Sequence, residues 1–328
     1  MNQFWKDMGI AIVMGWIVPA ILLAAVVSLA KTRTQVPVLT EPIVTVESPE
    51  EQETEQGSSI LLLDELGHVN QMPLHDYLTC VVLAEMPASF EDEALKAQAV
   101  VARTFAMRAA TVAAKHPDAD VCTDSACCQG YRAVADYLEH GGTQENVERI
   151  RKLVSETDGQ VLIYEGNLIE ATYFSCSGGT TEDAVAVWGT DVPYLRSVIS
   201  PGEEHAAYYT DSVTFEADEF ASKLDITLDG DAEDLLSDVS YTSGGGVASI
   251  QIGDKTFTGI QLRQLLGLRS TAFTVSVQDN TITFYTRGYG HRVGMSQYGA
   301  DAMASRGSTY DQILAYYYQG TELRRDFR

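Results

Sequence analysis

Glu85 stands at the end of an apolar helical stretch, two residues before Pro87, and the helical stretch that follows carries Lys96 and Arg103. A spacing of seven residues is close to two turns, so both cations share one face, about 10 Å apart along the axis. A carboxyl at a chain break beside two cations suits acid/base work on an anionic or polyhydroxylated substrate. A second group is His116, Cys122, Cys127 and Cys128, spaced His-x5-Cys-x4-Cys-Cys. It offers four soft or borderline ligands, the number that a closed tetrahedral zinc site requires. A disulfide from Cys122 to Cys127 or Cys128 is the alternative. A third group, Tyr173, Ser175, Ser177 and Gly178, ends a strand in a Gly turn. Its hydroxyls and Tyr ring suit sugar recognition, and the glycine lets a sugar approach the backbone. The fourth, His291 with Gln297, lies in and after a Gly-rich run that lacks the Lys-Ser/Thr ending of a phosphate loop.

These residues need elements to hold them. Leu74, Tyr77, Leu78, Val81 and Val82 give the apolar face of a helix from Pro73 to Glu85, stopped by Pro87. Ser89 is placed to cap a second helix from Phe90 to about Lys115, with a stripe of Leu95, Ala99, Ala102 and Ala109. Glu85 is then fixed between two helices, and its sequence neighbours Ala84, Met86, Pro87 and Phe90 provide apolar surroundings. A helix is expected over Gln144–Ser155, a hairpin turning at Gly166-Asn167, and strand signals through Tyr208–Ile226 and Asp238–Phe257. Ile260–Leu266 reads as a short helix, Phe273–Val277 and Thr281–Tyr285 as hairpin strands, and Ser296–Ser305 and Tyr310–Tyr318 as closing helices. The fold class is α+β: a helical and mixed core, a strand-rich second lobe over about 210–277, and a cleft.

The chain has 328 residues and a net charge of −24, which argues against a nucleic-acid partner held through phosphates. Attraction to an acidic polymer would rest on local cations such as Lys96 and Arg103. Residues 1–7 form a short tail. Residues 8–30 carry no charge and are long enough for a transmembrane anchor. Cleavage after Ala30 as a signal peptide is the other reading. Residues 31–58 contain prolines and an acidic run and read as a linker. Residues 59–328 form the folded domain.

Four ordered segments carry a resemblance. They are Leu83–Phe90 with Glu93–Thr104; Tyr173-Phe174-Ser175-Cys176-Ser177-Gly178-Gly179-Thr180-Thr181-Glu182; the Val187-Trp188-Gly189, Pro193-Tyr194-Leu195 and Val198-Ile199-Ser200-Pro201 set; and Gly288–Ala300. Together they resemble the stage II sporulation protein D family, lytic transglycosylases of the bacterial cell wall, from about residue 59 to 323. The resemblance implies that Glu85 is a single acid/base which cuts between N-acetylmuramic acid and N-acetylglucosamine in peptidoglycan. The C6 hydroxyl then closes a 1,6-anhydro ring and no water is consumed. On such a substrate Lys96 and Arg103 are placed to bind acetamido or lactyl oxygens or to tune Glu85, and His291 to orient the substrate or Glu85. Clostridial members carry zinc at the equivalent of the His116 group, one family pattern having a second His where Cys127 stands. Further implications are glycan strands without stem peptides as substrate, an amidase and a membrane scaffold as partners, and action during engulfment. The family places its domain outside the cytoplasm, on the mother-cell membrane facing the intermembrane space. A non-catalytic peptidoglycan-binding amidase enhancer is the second reading, and a zinc hydrolase built on the cysteine cluster the third.

Overall fold

In the computed structural model, residues 58–112, 114–227 and 236–327 are described. The expected anchor over 8–30 and most of the linker lie outside them; no described helix is long and apolar enough to cross a membrane. The fold is mixed α+β with several small sheets.

Helix α1, Leu74–Glu85, and helix α2, Asp92–Thr111, form its centre. α2 is buried on nearly every side because α1, the Gln144–Glu156, Gln297–Ala304 and Tyr310–Tyr317 helices, and the Val161–Tyr164 strand all pack on it. Its alanines, Ala94, Ala97, Ala99, Ala102 and Ala106, are fully buried and let these neighbours approach closely. Ser89 does not cap α2. The helix starts two residues later than expected, after Glu91, with no side-chain cap. Pro87–Phe90 is a separate turn, closed by the Phe90 N–H to the Pro87 carbonyl. Arg149 holds that turn by donating to the carbonyls of Ala88 and Phe90 and to Asp92.

Three small sheets brace this core. Ser59–Leu63 pairs antiparallel with Val69–Pro73 and parallel with Val121–Cys122, which fixes Cys122. Val161–Tyr164 lies between Asn167–Leu168 and Glu322–Arg324. Its hairpin turns at Glu165-Gly166, both at positive φ, one residue earlier than expected. Tyr173–Phe174 pairs parallel with Met295–Ser296, joining two segments far apart in sequence.

A second apolar core, built on Phe215, Phe220, Ile250, Leu262, Phe273 and Phe284, lies beneath two three-stranded sheets. In one, Thr281–Arg287 sits between Phe273–Gln278 and Thr210–Glu216. The other comprises Leu236–Tyr241, Val247–Ile252 and Lys255–Phe257. Within the expected strand span Tyr208–Ile226, Ala217–Leu224 is helical. It buries Ala217, Phe220 and Leu224, a 3–4 spacing hidden among β-favouring neighbours.

Candidate active site

Glu85 is the last residue of α1. The Met86 N–H closes the final turn on Val82, after which the backbone is extended. Met86 and Phe90 point into the core, 3% and 6% exposed, so the surroundings of the carboxyl are not the apolar wall that its sequence neighbours suggest. Instead, three donors converge on it. The Gly130 N–H donates to Oε1 at 2.5 Å, the Tyr173 hydroxyl to Oε1 at 3.1 Å, and the Gln297 side-chain amide to Oε2 at 3.2 Å. Oε1 is thereby filled, while Oε2 keeps one free acceptor position.

The parallel strand pair explains the convergence: with Tyr173 opposite Met295 and Phe174 opposite Ser296, Gln297 starts its helix beside Tyr173. A cavity of about 560 Å³ opens over the group, lined by Glu85, Gln129, Tyr173, Ser175, His291 and Gln297 among others. That volume is ordinary for a ligand site. Glu85 is the one carboxyl among the described residues that line it.

Tyr173 faces two acceptors with one hydrogen, since Gln129 Oε1 is also 3.1 Å away. The Gln129 amide nitrogen is occupied by the Tyr77 hydroxyl and the Ala102 carbonyl, which turns its oxygen toward Tyr173. Burial, with the Glu85 charge added, holds the Tyr173 hydroxyl protonated well above the usual phenol range. The His291 ring packs against Phe174 and Trp188. Burial and then the Arg263 charge push its pKa down to about 4, so it is neutral near neutral pH. Its Nδ1 accepts the Val293 N–H at 3.1 Å, which assigns the ring proton to Nε2. Ser175 lines the cavity and is anchored through its carbonyl by the Tyr298 N–H.

Four residues expected at the site are elsewhere. Arg103 is 1% exposed and donates to the carbonyls of Val154, Thr157 and Gln160. It caps the C-terminal end of the Gln144–Glu156 helix, where a cation meets the orphan carbonyls and the negative end of the dipole. Lys96 lies between Glu93 and Glu156, 3.0 and 2.8 Å away, so neither cation is free to attract a polymer. Ser177 is buried, and its N–H and hydroxyl both donate to Glu203, at 2.6 and 2.8 Å. Gly178 has φ +70°, and a Cβ there would lie 2.7 Å from the Arg287–Gly288 backbone. Its missing side chain makes room for protein backbone, not for sugar.

Sequence reading assigned no role to several residues. For Gln129 and Gly130 the one signal in the sequence is their place directly after Cys127-Cys128. Glu203 is fully buried and also receives the Cys176 thiol at 3.1 Å, locking the Ser/Gly turn from behind. Arg292, at φ +66° and 2% exposed, pairs with the buried Glu182 at 3.2 Å. The same guanidinium donates to the carbonyls of Ser177, Thr180 and Gly244. Thr242 and the Gly246 N–H also donate to Glu182, so this cluster ties the turn beside the cavity to the loop Thr242–Gly246.

His116, Cys122, Cys127 and Cys128 come together with all four ligand atoms within 4.8 Å of one another. His116 Nε2 is 3.5 Å from Cys128 Sγ and 3.7 Å from Cys127 Sγ, and the two sulfurs are 4.0 Å apart. Tetrahedral bonds of about 2.3 Å to sulfur and about 2.0 Å to nitrogen imply edges of about 3.5–3.8 Å. The group fits a metal of zinc's size. No disulfide is formed: all five cysteines are free.

The stage II sporulation protein family model matches residues 63–164. Stage II sporulation protein D of Bacillus subtilis is 42% identical over 259 residues, 78% of this chain and 75% of that protein. Its Bacillus amyloliquefaciens counterpart is 39% identical over 260 residues, with the same coverage. An amidase enhancer of Bacillus subtilis is 30% identical over 300 residues, covering 74% of this chain and 39% of that larger protein. With relatives 42% and 39% identical across three quarters of both partners' length, the chain belongs to the stage II sporulation protein D family.

Proposed function

We propose that this chain is a lytic transglycosylase of peptidoglycan, acting in sporulation, with Glu85 as its single acid/base. The observation that carries the proposal is that, among the described residues, Glu85 is the one carboxyl lining the cavity, held there by three donors. Hydrolysis by the usual route needs two carboxyls flanking one bond. A single carboxyl suffices when the nucleophile is the substrate's own hydroxyl, held at high effective molarity.

With Oε1 occupied by Gly130 and Tyr173, the transferable proton sits on Oε2. Glu85 gives it to the oxygen joining N-acetylmuramic acid to N-acetylglucosamine, and the bond from muramic C1 to that oxygen breaks. The N-acetylglucosamine leaves with the proton as its new hydroxyl. Ionised Glu85 then takes the proton of the muramic C6 hydroxyl as that oxygen bonds to C1. The 1,6-anhydro ring closes, Glu85 is protonated again, and water is neither consumed nor released. The Tyr173 hydroxyl, which donates to Oε1, is a donor that strengthens as charge develops on the carboxylate. Neutral His291 gives the cavity an uncharged wall.

His116, Cys122, Cys127 and Cys128 would hold zinc. With four protein ligands, such an ion supplies a structural cross-link and leaves no position for water. Cys128 lies two residues before Gly130, so fixing this loop fixes the N–H that meets Glu85.

In this reading residues 8–30 anchor the chain in the mother-cell membrane, with residues 59–328 facing the intermembrane space. Its partners are peptide-free glycan strands, the amidase that strips them, and a membrane scaffold. The amidase-enhancer relative supports a link to amidase action and also favours a second reading, a binding module without chemistry. Incubation with peptide-free strands decides between them by mass spectrometry, with Glu85→Gln alongside. Products ending in 1,6-anhydro-N-acetylmuramic acid, absent in the variant, establish the enzyme. Reducing-end products indicate a hydrolase, and uncut but bound strands indicate the binding module.

A further inference from the structure

The sheet formed by Thr210–Glu216, Thr281–Arg287 and Phe273–Gln278 has two unlike faces. Inward, alternate residues such as Phe215, Ile282 and Phe284 build the second core. Outward, the register sets Thr274, Tyr285 and Ser212 in one row and Ser276, Thr283 and Thr214 in the next. In a chain of net charge −24, these two rows carry no charge at all. They present five hydroxyl-bearing Ser/Thr side chains around one Tyr ring, and the Thr214 and Thr283 hydroxyls bond each other at 2.9 Å.

A cavity of about 540 Å³ opens on this face. Tyr285 and Tyr241 both line it, 51% and 59% exposed. Two open aromatic rings among hydroxyls match the two surfaces of a pyranose: the C–H face stacks on a ring, and the equatorial oxygens bond to the hydroxyls. Among the described residues the one carboxyl lining this cavity, Asp211, is tied to Arg269 at 3.1 Å. Aromatic rings also stack nucleic-acid bases, but the net charge disfavours phosphates here.

One strand links this cavity to the Glu85 cavity. The strand that carries Tyr285 and Arg287 leaves the sheet and supplies Tyr289, Gly290 and His291 to the catalytic wall. From Tyr285 to Tyr289 is about 13 Å of extended chain. Arg269 fills the interval, its guanidinium 4.3 Å from the Tyr208 ring and 5.1 Å from the Tyr289 ring. Asp211, Arg269 and Tyr289 thus form an unbroken stack from one cavity to the other.

We propose that the Tyr285/Tyr241 face is a second glycan-binding site, which holds a glycan strand beyond the bond at Glu85. The choice of a glycan rests on the function proposed above; the site itself rests on the sheet face. Two linked sites on one polymer add their affinities as an effective concentration, so long strands gain and short fragments do not.

The test uses the full-length protein in a Glu85→Gln background, where strands stay uncut. Binding of long peptide-free strands and of a tetrasaccharide is measured with and without Tyr285→Ser plus Tyr241→Ser. We expect the long-strand affinity to fall at least about tenfold while the tetrasaccharide affinity is unchanged. Thr274→Arg, which obstructs the face without removing a ring, should do the same. Equal long-strand affinity in both variants overturns the proposal, as does equal loss for long and short ligands. If the protein with Glu85 intact cuts nothing, yet long strands bind and the Tyr variants release them, the catalytic reading fails and the second site stands.

Discussion

The backbone N–H of Gly130 donates to Oε1 of Glu85, and a methyl group on Gly130 would sit 2.8 Å from that same oxygen. A side chain at position 130 therefore displaces the carboxyl that the N–H positions. Gly130→Ala should push the Glu85 side chain aside without unfolding the domain. We expect kcat on glycan strands to fall by about a hundredfold or more, with thermal unfolding shifted little. Wild-type kcat in the alanine variant would refute the positioning role.

Tyr173 gives Glu85 a donor that strengthens as negative charge develops. Tyr173→Phe should lower kcat and kcat/KM together, by about a hundredfold, and leave KM near its original value. A rise in KM alone would instead make Tyr173 a substrate contact.

Arg103 and Lys96 should separate stability from activity. Arg103→Ala leaves three carbonyls of a buried helix end without their cation, and we expect a loss of about 3 kcal/mol or more in urea unfolding. Lys96→Ala, whose side chain is partly buried at the surface between two glutamates, should lose about 1 kcal/mol or less. KM should be unchanged in whatever fraction of each variant remains folded.

His291 titrates at about 4 in the folded chain, against 6.5 for a free imidazole. Between those values the unfolded chain binds a proton that the folded chain refuses, so stability rises with pH across this window and is lost on acidification. From about pH 7 to about pH 5 the loss attributable to this ring is about 2 kcal/mol. Urea unfolding of the wild type and of His291→Gln across that range should differ by this slope.

Chelation should lower both stability and activity if the His116 cluster holds zinc, because the ligand loop runs directly into Gln129 and Gly130. One zinc per chain, lost with Cys122→Ser, and a fall in Tm on adding chelator are the expected results. A chelator-insensitive Tm would speak for the free thiols.

What was legible in the sequence depended on range. The four metal-ligand candidates lie within thirteen residues, so type and spacing alone predicted their meeting. α1 and α2 were legible from apolar periodicity, but periodicity gives only which residues share a face, not what that face meets. Lys96 and Arg103 do lie on one side of α2; that side packs toward the Gln144–Glu156 helix rather than toward Glu85. Gly178 was read for its openness, yet the space it leaves is taken by the Arg287–Gly288 backbone, more than a hundred residues away. The Glu182–Arg292 pair and Glu203 were invisible for the same reason. A buried carboxylate looks like a surface one until the fold brings its donors.

The hydrogen bond from Gln297 to Glu85 spans 212 positions. A chain made from its N-terminus therefore exposes Glu85 long before the residues that complete its setting have been synthesised. Tyr173 arrives 88 residues after Glu85, and Gln297 212 residues after it. Such distant closure is slow to form and offers no partly working intermediate. On the function proposed above, the order of the chain would leave nascent or truncated copies without a completed Glu85 site.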